Sequence, residues 1–347
     1  MNEQALSKVA SIRCNGPARL RLFKIFICNA MGNWCSGASA IEKPQEDTSK
    51  KEKPPLTFGR DPSLNPADFI VSNQTDEVIR REAGTVQGQQ FVIEDCKDTQ
   101  VYLFDHTATI QVDECVNCRF ILGPCESSVF LRNVTDSIVV CATRQLRLRD
   151  CTRVKLFLYS MTEPVIETSK DIELAGYTLN YFSLLHQLES AKLDPWTNLW
   201  TEVYDFTPRD DGKNYKINHD LKMLDYYPSD ALNPPSEQAV IPYSYGHAWG
   251  KGNQFLCFAE PAAAQLFLDA NPHCKVIQAR RMTCTKNQIK ELCERTIKEP
   301  QVELIGLELD LSESPSETDA CFYKVIENRA LVEQKCDLFF QQWKPKV

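Results

Sequence analysis

The chain has few histidines and lacks the short motifs that mark most enzymes. Its five histidines are His106, His186, His219, His247 and His273. The G-x-S-x-G nucleophile elbow, the H-E-x-x-H zinc motif and the G-x-G-x-x-G dinucleotide fingerprint are all absent from the sequence. Residues 246–252 resemble a phosphate loop, but the spacing is one residue short and Gly252 stands where a Ser or Thr should hold magnesium. An enzyme with its own active site is therefore not expected.

Positive charge and long apolar runs are also scarce. The sequence has 39 Lys and Arg against 47 Asp and Glu, a formal net charge of −8 and a pI near 5.3. A general nucleic-acid binder would need a basic face, so nucleic acid is not an expected partner. The apolar run at residues 22–28 is short and is interrupted by Lys24, which makes it too short to span a membrane.

Cysteine, by contrast, is abundant, with fifteen residues. Cys96, Cys115 and Cys151 fall at equivalent points of a repeat, where a small buried thiol packs well. We therefore expect a reduced, cytosolic protein rather than a disulfide scaffold. The C-x-x-C at residues 115–118 has no second pair and no suitably spaced His, so a zinc site is not expected.

That repeat runs from Gly84 to about Tyr177. A polar corner closes each unit, and the second corner residues lie 19, 19, 17 and 19 positions apart. The corners are Asp95-Cys96, Glu114-Cys115, Asn133-Val134, Asp150-Cys151 and Ser169-Lys170. Within each unit apolar residues alternate at period two, which indicates short strands with one buried face. A fixed period without a helical pattern predicts a β-solenoid whose coils stack on one another.

Stacked coils place equivalent residues in rows. The two predicted inward rows are Phe91, Ile110, Val129, Leu146, Val165 and Ile93, Val112, Leu131, Leu148, Glu167. One predicted outward row is Val92, Gln111, Phe130, Arg147, Ile166. Two residues stand out, because Glu167 interrupts an apolar row and Arg147 is expected to be exposed between core Leu146 and Leu148. A rigidly held Arg147 suits insertion into a partner's phosphate site, and the alternative is an ordinary solvated basic face.

The segments after the repeat differ from it in their sequence pattern. Residues 181–191 have helical apolar spacing. Trp196, Trp200, Tyr204 and Phe206 supply an aromatic closure. Most of these four should be core, and the alternative is that exposed aromatics at the end of the solenoid form a contact edge. Residues 209–252 are loop-like and predict a linker. Residues 253–347 predict a small α/β domain, with strands at 254–259, 275–279, 301–311 and 336–341 and helices at 261–270, 286–297 and 317–328.

The N-terminal part carries a basic leader and then a possible acylation signal. Residues 1–30 contain five Lys or Arg against Glu3 alone, which fits an organelle transit peptide or a weak signal peptide. The alternative is a basic leader that is absent from the main form, in which the chain begins at Met31. Met31-Gly32-Asn33-Trp34-Cys35-Ser36 fits the myristoylation pattern, with Cys35 near enough for palmitoylation. Residues 31–53 are then an acylated start and a flexible polar tether.

Five segments in order carry a family resemblance: residues 84–96, 102–109, 120–124, 128–133 and 144–151. Together they resemble the tubulin-binding cofactor C (C-CAP) family, and the resemblance covers residues 54–208. It implies a right-handed parallel β-helix that acts as a GTPase-activating protein for Arf-like small GTPases, most directly the third Arf-like type. The GTPase carries GTP and magnesium, so this chain needs no cofactor of its own.

The resemblance also implies roles for individual residues. Arg147 falls on the arginine-finger position of a Gln-Gln-x-Arg motif, in which Gln145 keeps one glutamine and Arg144 replaces the other. Glu167 and Phe206 match GTPase-contact positions.

Further implications concern both ends of the chain. Acylation at Gly32 and Cys35 is implied, although Cys35 is fifth rather than third from Met31. The α/β domain is implied to be ferredoxin-like and similar to nucleoside diphosphate kinase, without kinase activity because no His is suitably placed. The implied location is the cytoplasmic face of the plasma membrane, the ciliary base and the cytoplasm, with a role in delivering lipidated proteins to the cilium. The alternative is a non-catalytic binding module, either a tubulin-folding cofactor or a cytoskeletal scaffold.

Overall fold

The structure is a computed structural model that describes residues 64–210, 212, 214–227, 239–247, 249–311, 320–326 and 328–343. Twelve strands form one sheet in which every pairing is parallel. They are β1 Ile70–Ser72, β2 Val78–Arg81, β3 Phe91–Glu94, β4 Gln100–Leu103, β5 Ile110–Asp113, β6 Arg119–Arg132, β7 Ile138–Arg149, β8 Lys155–Ser160, β9 Val165–Glu167, β10 Ile172–Gly176, β11 Tyr204–Asp205 and β12 Tyr215–Ile217. The predicted parallel β-helix is therefore confirmed, and it begins one coil earlier, with β1 and β2.

The two long strands connect the faces of the β-helix. The first half of β6 pairs with β4 and its second half pairs with β5. In the same way, the first half of β7 pairs with β8 and its last three residues pair with β9. Inward side chains of all coils merge into one apolar core that includes Phe91, Leu146 and Leu148.

The corners between strands explain the repeat. The first corner residues take a left-handed conformation, with φ between 45° and 55°. They are Asp95, Glu114, Asn133, Asp150 and Thr168. Short polar side chains tolerate this conformation better than branched apolar ones, which accounts for most of the polar corner positions. Cys96, Cys115 and Cys151 follow their corners as buried free thiols, as predicted. Burial raises the pKa of Cys151 to about 11, so its thiol stays protonated at neutral pH.

The last predicted corner is wrong by one residue. It is Thr168-Ser169 and not Ser169-Lys170, because Thr168 has the left-handed φ and Ser169 is buried. Leu148 therefore pairs with Ile166, and Arg149 pairs with Glu167. Ile166 is buried while Glu167 is exposed. A slip of one residue turns every side chain to the other face of a strand, so Glu167 interrupts no apolar row.

A buried carboxylate holds the turn before the second full coil. Asp105 Oδ2 accepts hydrogen bonds from the backbone N–H groups of Val86 and Gln87, at 2.7 Å and 2.8 Å. Its Oδ1 accepts from the His106 backbone N–H at 2.9 Å and lies 3.3 Å from His106 Nδ1. His106 thus has a structural hydrogen-bonding role in this turn.

Helix α1 and three apolar residues further along the chain cover one outer side of the β-helix. Helix α1, Leu184–Ser190, lies within the predicted 181–191 helix. Its Gln187 side chain donates to the Phe104 carbonyl at 2.8 Å and accepts from the Tyr181 hydroxyl at 2.6 Å. Met223, Tyr227 and Ile241 join the same apolar cluster, which packs on outward side chains of β4 and β8. The predicted linker 209–252 therefore begins inside the β-helix, since β12 pairs with β10.

The C-terminal part is an α/β unit, as predicted. Its elements are β13 Gln254–Phe258, α2 Pro261–Ala270, β14 Lys275–Thr285, α3 Lys286–Cys293, β15 Gln301–Asp310, β16 Tyr323–Val325, α4 Arg329–Cys336 and a π-helical extension Asp337–Gln342. The sheet order is β14-β15-β13-β16, and all neighbours are antiparallel. A ferredoxin-like or nucleoside diphosphate kinase-like assignment stays a prediction.

Two predicted elements of this unit are wrong. Part of the predicted helix 317–328 is strand β16, because residues 323–325 pair with β13. The predicted strand 336–341 is helical instead and buries Leu338, Phe339 and Phe340. Short apolar runs fit a buried helix and a buried strand equally well, and here packing decided between them. Among the described residues, no helix is long and apolar enough to cross a membrane.

Candidate functional site

One face of the β-helix carries a continuous outward row through four strands. The register aligns Phe130 with Arg147, Arg147 with Val165, and Val165 with Tyr204. Val165, not the predicted Ile166, therefore belongs to this row. Adjacent strands lie about 4.8 Å apart, so these side chains are immediate neighbours. We call the surface formed by this row and the next one the outward face.

The next row of the outward face begins two residues further along each strand. Arg132 aligns with Arg149, and Arg149 aligns with Glu167. Phe206 continues this row, because its backbone N–H donates to the Ile166 carbonyl at 2.8 Å. The structure thus brings Arg147, Glu167 and Phe206 together on one face, although it reaches this result with Glu167 in a different register from the predicted one.

Arg147 is the exposed cation at the centre of this face. Leu146 and Leu148 on either side are at most 1% exposed, which confirms the predicted alternation. Within the described part of the chain, its guanidinium has no hydrogen-bond or ion-pair partner. The neighbouring cations do have partners: Arg149 contacts Asp150 at 3.2 Å, and Arg132 contacts Asp113 through two hydrogen bonds of 2.6 Å. Arg147 therefore has a backbone held in a strand and a guanidinium that is available to a partner.

Arg144 is committed to the fold. Its Nε donates to the Glu126 carbonyl at 2.9 Å, and its Nη2 donates to the Lys192 carbonyl at 3.2 Å. Lys192 in turn pairs with the Glu126 carboxylate at 2.5 Å. Gln145, the next residue, is half-buried and aligns with Ser128 on the neighbouring coil. Arg144 also lines a groove of about 590 Å³ together with Gln111 on the outward face.

These contacts predict that Arg144 stabilises the fold, whether or not it also contacts a partner. Arg144→Ala should lower the free energy of unfolding by about 1 kcal/mol, because two charge-assisted hydrogen bonds at a partly exposed site are lost. Urea denaturation measures this change, and Lys290→Ala on the exposed side of α3 is the control. A stability equal to that of the control would contradict the role.

Two aromatic side chains extend the outward face. Tyr204 is 52% exposed and Phe206 is 62% exposed, and their ring centroids lie 5.3 Å apart in an edge-to-face arrangement. Trp196 and Trp200 are buried, as the predicted aromatic closure requires. Sequence reasoning grouped Tyr204 with that closure and did not decide which of the four aromatic side chains are exposed. The alternation between Val203, which packs on the core, and Tyr204 was the available signal.

The predicted lipidation residues, Gly32 and Cys35, lie outside the described residues. Cys115 and Cys118 of the C-x-x-C are buried free thiols. No group of His, Cys, Asp and Glu in the described part of the chain is arranged to hold a metal ion.

Comparison with known proteins agrees with the resemblance found in the sequence. Residues 88–206 match the family model of Tubulin binding cofactor C. Protein XRP2 of Homo sapiens is 33% identical over 226 residues, which are 62% of this chain and 65% of the relative. Tubulin-specific chaperone C of Homo sapiens is 27% identical over 135 residues, 39% of each chain. A solved structure, Tubulin Binding Cofactor C from Leishmania major, is 19% identical and covers 38% of this chain and 90% of its own, with a TM-score of 0.30 that supports no argument.

The matched region stays below two thirds of the length of these relatives. The segment that matches the family model, residues 88–206, nevertheless contains every predicted site residue of the β-helix: Arg144, Gln145, Arg147, Glu167 and Phe206. The strand pairings, the corner repeat and the family match all converge on the same segment. Residues 88–206 of this chain therefore form a segment that matches the tubulin binding cofactor C family.

Proposed function

We propose that this protein is a GTPase-activating protein for an Arf-like small GTPase, specifically the third Arf-like type. The observation that supports the proposal is Arg147, an exposed guanidinium without a described partner on a rigid strand of a family β-helix. The partner would carry GTP and magnesium, so this chain would need no cofactor of its own. It would act on the reaction of its partner and not as an enzyme with its own substrate.

The chemistry follows from the guanidinium group. During hydrolysis, negative charge spreads over the oxygens of the transferring phosphoryl group, and an arginine finger stabilises that charge. The planar fork of arginine forms two parallel hydrogen bonds to phosphate oxygens, which an ammonium cannot reproduce. Parallel pairing of β7 with β6 and β9 holds the Arg147 backbone from both sides. Little backbone freedom is then lost when the finger is inserted.

The surrounding residues have supporting roles in this proposal. Glu167 would accept hydrogen bonds from the GTPase, and Phe206 with Tyr204 would bury apolar surface at the edge of the contact. Gln145, next to the finger, would contact the GTPase near its nucleotide. Arg144 replaces the second family glutamine and, because its guanidinium is held by two carbonyls, would contact the GTPase only at the margin.

A second candidate is a binding module without GTPase activation. One relative is called a Tubulin-specific chaperone C, which makes tubulin a possible partner for this chain in a folding or scaffold role. The two candidates differ in the step that they require. An activator must speed hydrolysis on its partner, whereas a binding module needs only to form the complex.

Single-turnover GTP hydrolysis by the type-three Arf-like GTPase tests the proposal. The GTPase is loaded with GTP and mixed with increasing amounts of the full chain. We expect the hydrolysis rate to rise and then saturate as the complex forms. An unchanged rate, combined with direct binding to the GTPase or to tubulin dimers, would reject activation and favour the binding module.

The proposal also includes a membrane tether at Gly32, assisted by Cys35. One acyl chain binds membranes only marginally, and a second one makes the attachment stable. The protein would then act at the cytoplasmic face of the plasma membrane and at the ciliary base. Hydrolysis there would make the GTPase release its effectors, which would deliver lipidated proteins to the cilium.

The tether predicts a change in location. In a chain that begins at Met31, Gly32→Ala should move most of the protein from the membrane fraction to the soluble fraction, because myristoylation requires that glycine. Cell fractionation with mass spectrometry of the N-terminus measures this shift, and Gly37→Ala is the matched control. The protein expressed from its full sequence gives the second test: a mature N-terminus that retains Met1 would refute acylation at Gly32.

A further inference from the structure

A cavity of about 720 Å³ lies in the α/β unit, and none of its lining residues belongs to the outward face. His247, Lys251 and Gly252 form one wall, strands β14 and β15 form the floor, and one side of α4 with its π-helical extension forms the other wall. Pockets of roughly 300–1,000 Å³ commonly hold small molecules. The question is which chemistry this cavity would select.

The floor of the cavity is a buried carboxylate. Glu308 is only 3% exposed, and it lines the cavity. Its Oε1 accepts from the Gly252 backbone N–H at 2.7 Å, and its Oε2 accepts from Gln278 Nε2 at 2.6 Å. A Cβ at Gly252 would lie 2.5 Å from Glu308 Cγ, so glycine is required for this close approach. The carboxylate is therefore held in one orientation by neutral donors.

The Glu308 carboxylate keeps acceptor capacity for a ligand. A carboxylate has about four lone-pair sites; the contacts of Gly252 and Gln278 use one site on each oxygen, and the Cys336 thiol, a weak donor, also hydrogen-bonds this carboxylate. A guanidinium that displaces the thiol gains one site on each oxygen, which two parallel hydrogen bonds need. No described Lys, Arg or His forms an ion pair with Glu308, and Lys251 is bonded to Glu333 instead. Buried charge is stabilised by an opposite charge, so the floor favours a cationic group.

The mouth of the cavity carries both signs of charge. Arg329 and His247 are exposed on opposite walls, and both suit an anionic group. Glu333 on α4 and Asp337 at the start of its π-helical extension line the same wall and suit an ammonium. The ion pair of Glu333 with Lys251 is exposed, so it is weak and readily exchanged. The mouth thus matches the α-carboxylate and α-ammonium of a free amino acid.

The geometry points to a binding site for a free basic amino acid of the arginine type. Its guanidinium would lie against Glu308, and its α-carboxylate and α-ammonium would meet the opposite charges at the mouth. This orientation pairs every charged group of the ligand with a charged side chain of the cavity. The inference is independent of the proposed GTPase-activating function, because it uses none of the same residues.

Isothermal titration calorimetry of the full chain with L-arginine tests the site. We expect saturable binding of one L-arginine per chain. L-citrulline, in which a neutral urea replaces the guanidinium, should bind at least about tenfold more weakly because a charge-assisted pair is lost. Agmatine, which lacks the α-carboxylate, and N-acetyl-L-arginine amide, which lacks both α-charges, should also bind more weakly. Absence of saturable L-arginine binding, or equal binding of L-citrulline, would overturn the inference.

Two variants locate the binding. Glu308→Gln should abolish binding, and circular dichroism with a thermal melt shows whether this buried variant is folded. Arg329→Ala lies on the exposed surface, tests the site without risk to the core, and should weaken L-arginine binding by about tenfold. Arg153→Ala, on the β-helix, is the matched control and should bind as the wild type does. Unchanged affinity in a folded Glu308→Gln and in Arg329→Ala would place the ligand elsewhere and reject this site.

Discussion

Arg147→Ala is expected to remove about 10³–10⁵-fold of the acceleration of GTP hydrolysis, the contribution usual for an arginine finger. The reason is that the developing charge on the phosphoryl group would lose its only stabilising group from this chain. Single-turnover hydrolysis, at concentrations of the variant that saturate the GTPase, measures the loss in the chemical step. Binding of the variant to the GTPase in its GTP-analogue form should change far less than the rate.

Two further variants separate the finger from general charge effects. Arg147→Lys keeps the positive charge, but it should also fail because an ammonium cannot form the bidentate contact. Arg153→Ala removes the same charge from a corner residue that is paired with Asp136, and it should leave the rate unchanged. If the Arg147→Ala protein accelerates hydrolysis as well as the wild type, Arg147 is not a finger.

Ile166→Ala should lower the free energy of unfolding by about 2–5 kcal/mol, because it deletes a fully buried side chain and leaves a cavity in the β-helix core. Val165→Ala, one residue earlier on the half-exposed outward face, should cost about 1 kcal/mol or less. Urea denaturation of the two variants measures the difference directly. The pair is informative because the repeat alone predicts the reverse order.

Two results would contradict the observed register. One is a larger loss of stability for Val165→Ala than for Ile166→Ala. The other comes from a third variant: Glu167→Leu would stabilise the protein if residue 167 were in the core, since a core position would favour leucine over a carboxylate. In the observed register, Glu167→Leu would leave stability nearly unchanged, because residue 167 faces outward beside Arg149.

Much of the β-helix could be predicted because its signal is local and repeated. Each coil contributes the same polar corner and the same alternation of apolar residues. An error in the strand assignment of one coil therefore does not change the assignment of the others. The prediction failed at the last corner, where Ser169 follows Cys151 by 18 residues and not by the predicted 19. This difference moved strand β9 by one position. Residues 168–170 are all polar, so the sequence does not mark which pair of them forms the corner.

The C-terminal unit was less predictable for a different reason. Its segments at residues 323–325 and 336–341 contain only a few apolar residues each, and such short patterns are compatible with a strand or with a buried helix. Phe339 and Phe340 pack against Phe255 from a helix, and that contact exists only in the folded unit. Local propensity therefore had little influence compared with tertiary packing.

The sequence by itself determined the β-solenoid and the exposure of Arg147 between two core leucines, and five of its segments carried the resemblance that the match of residues 88–206 agrees with. The solenoid and the exposure depend on side-chain alternation and on repeated corners, which are properties of neighbouring residues. Only the tertiary structure decided that Glu167 faces outward, that Arg144 is held by two carbonyls, and that Tyr204 lies exposed beside Phe206. These depend on register and on contacts between residues distant in the chain, which a linear pattern does not encode.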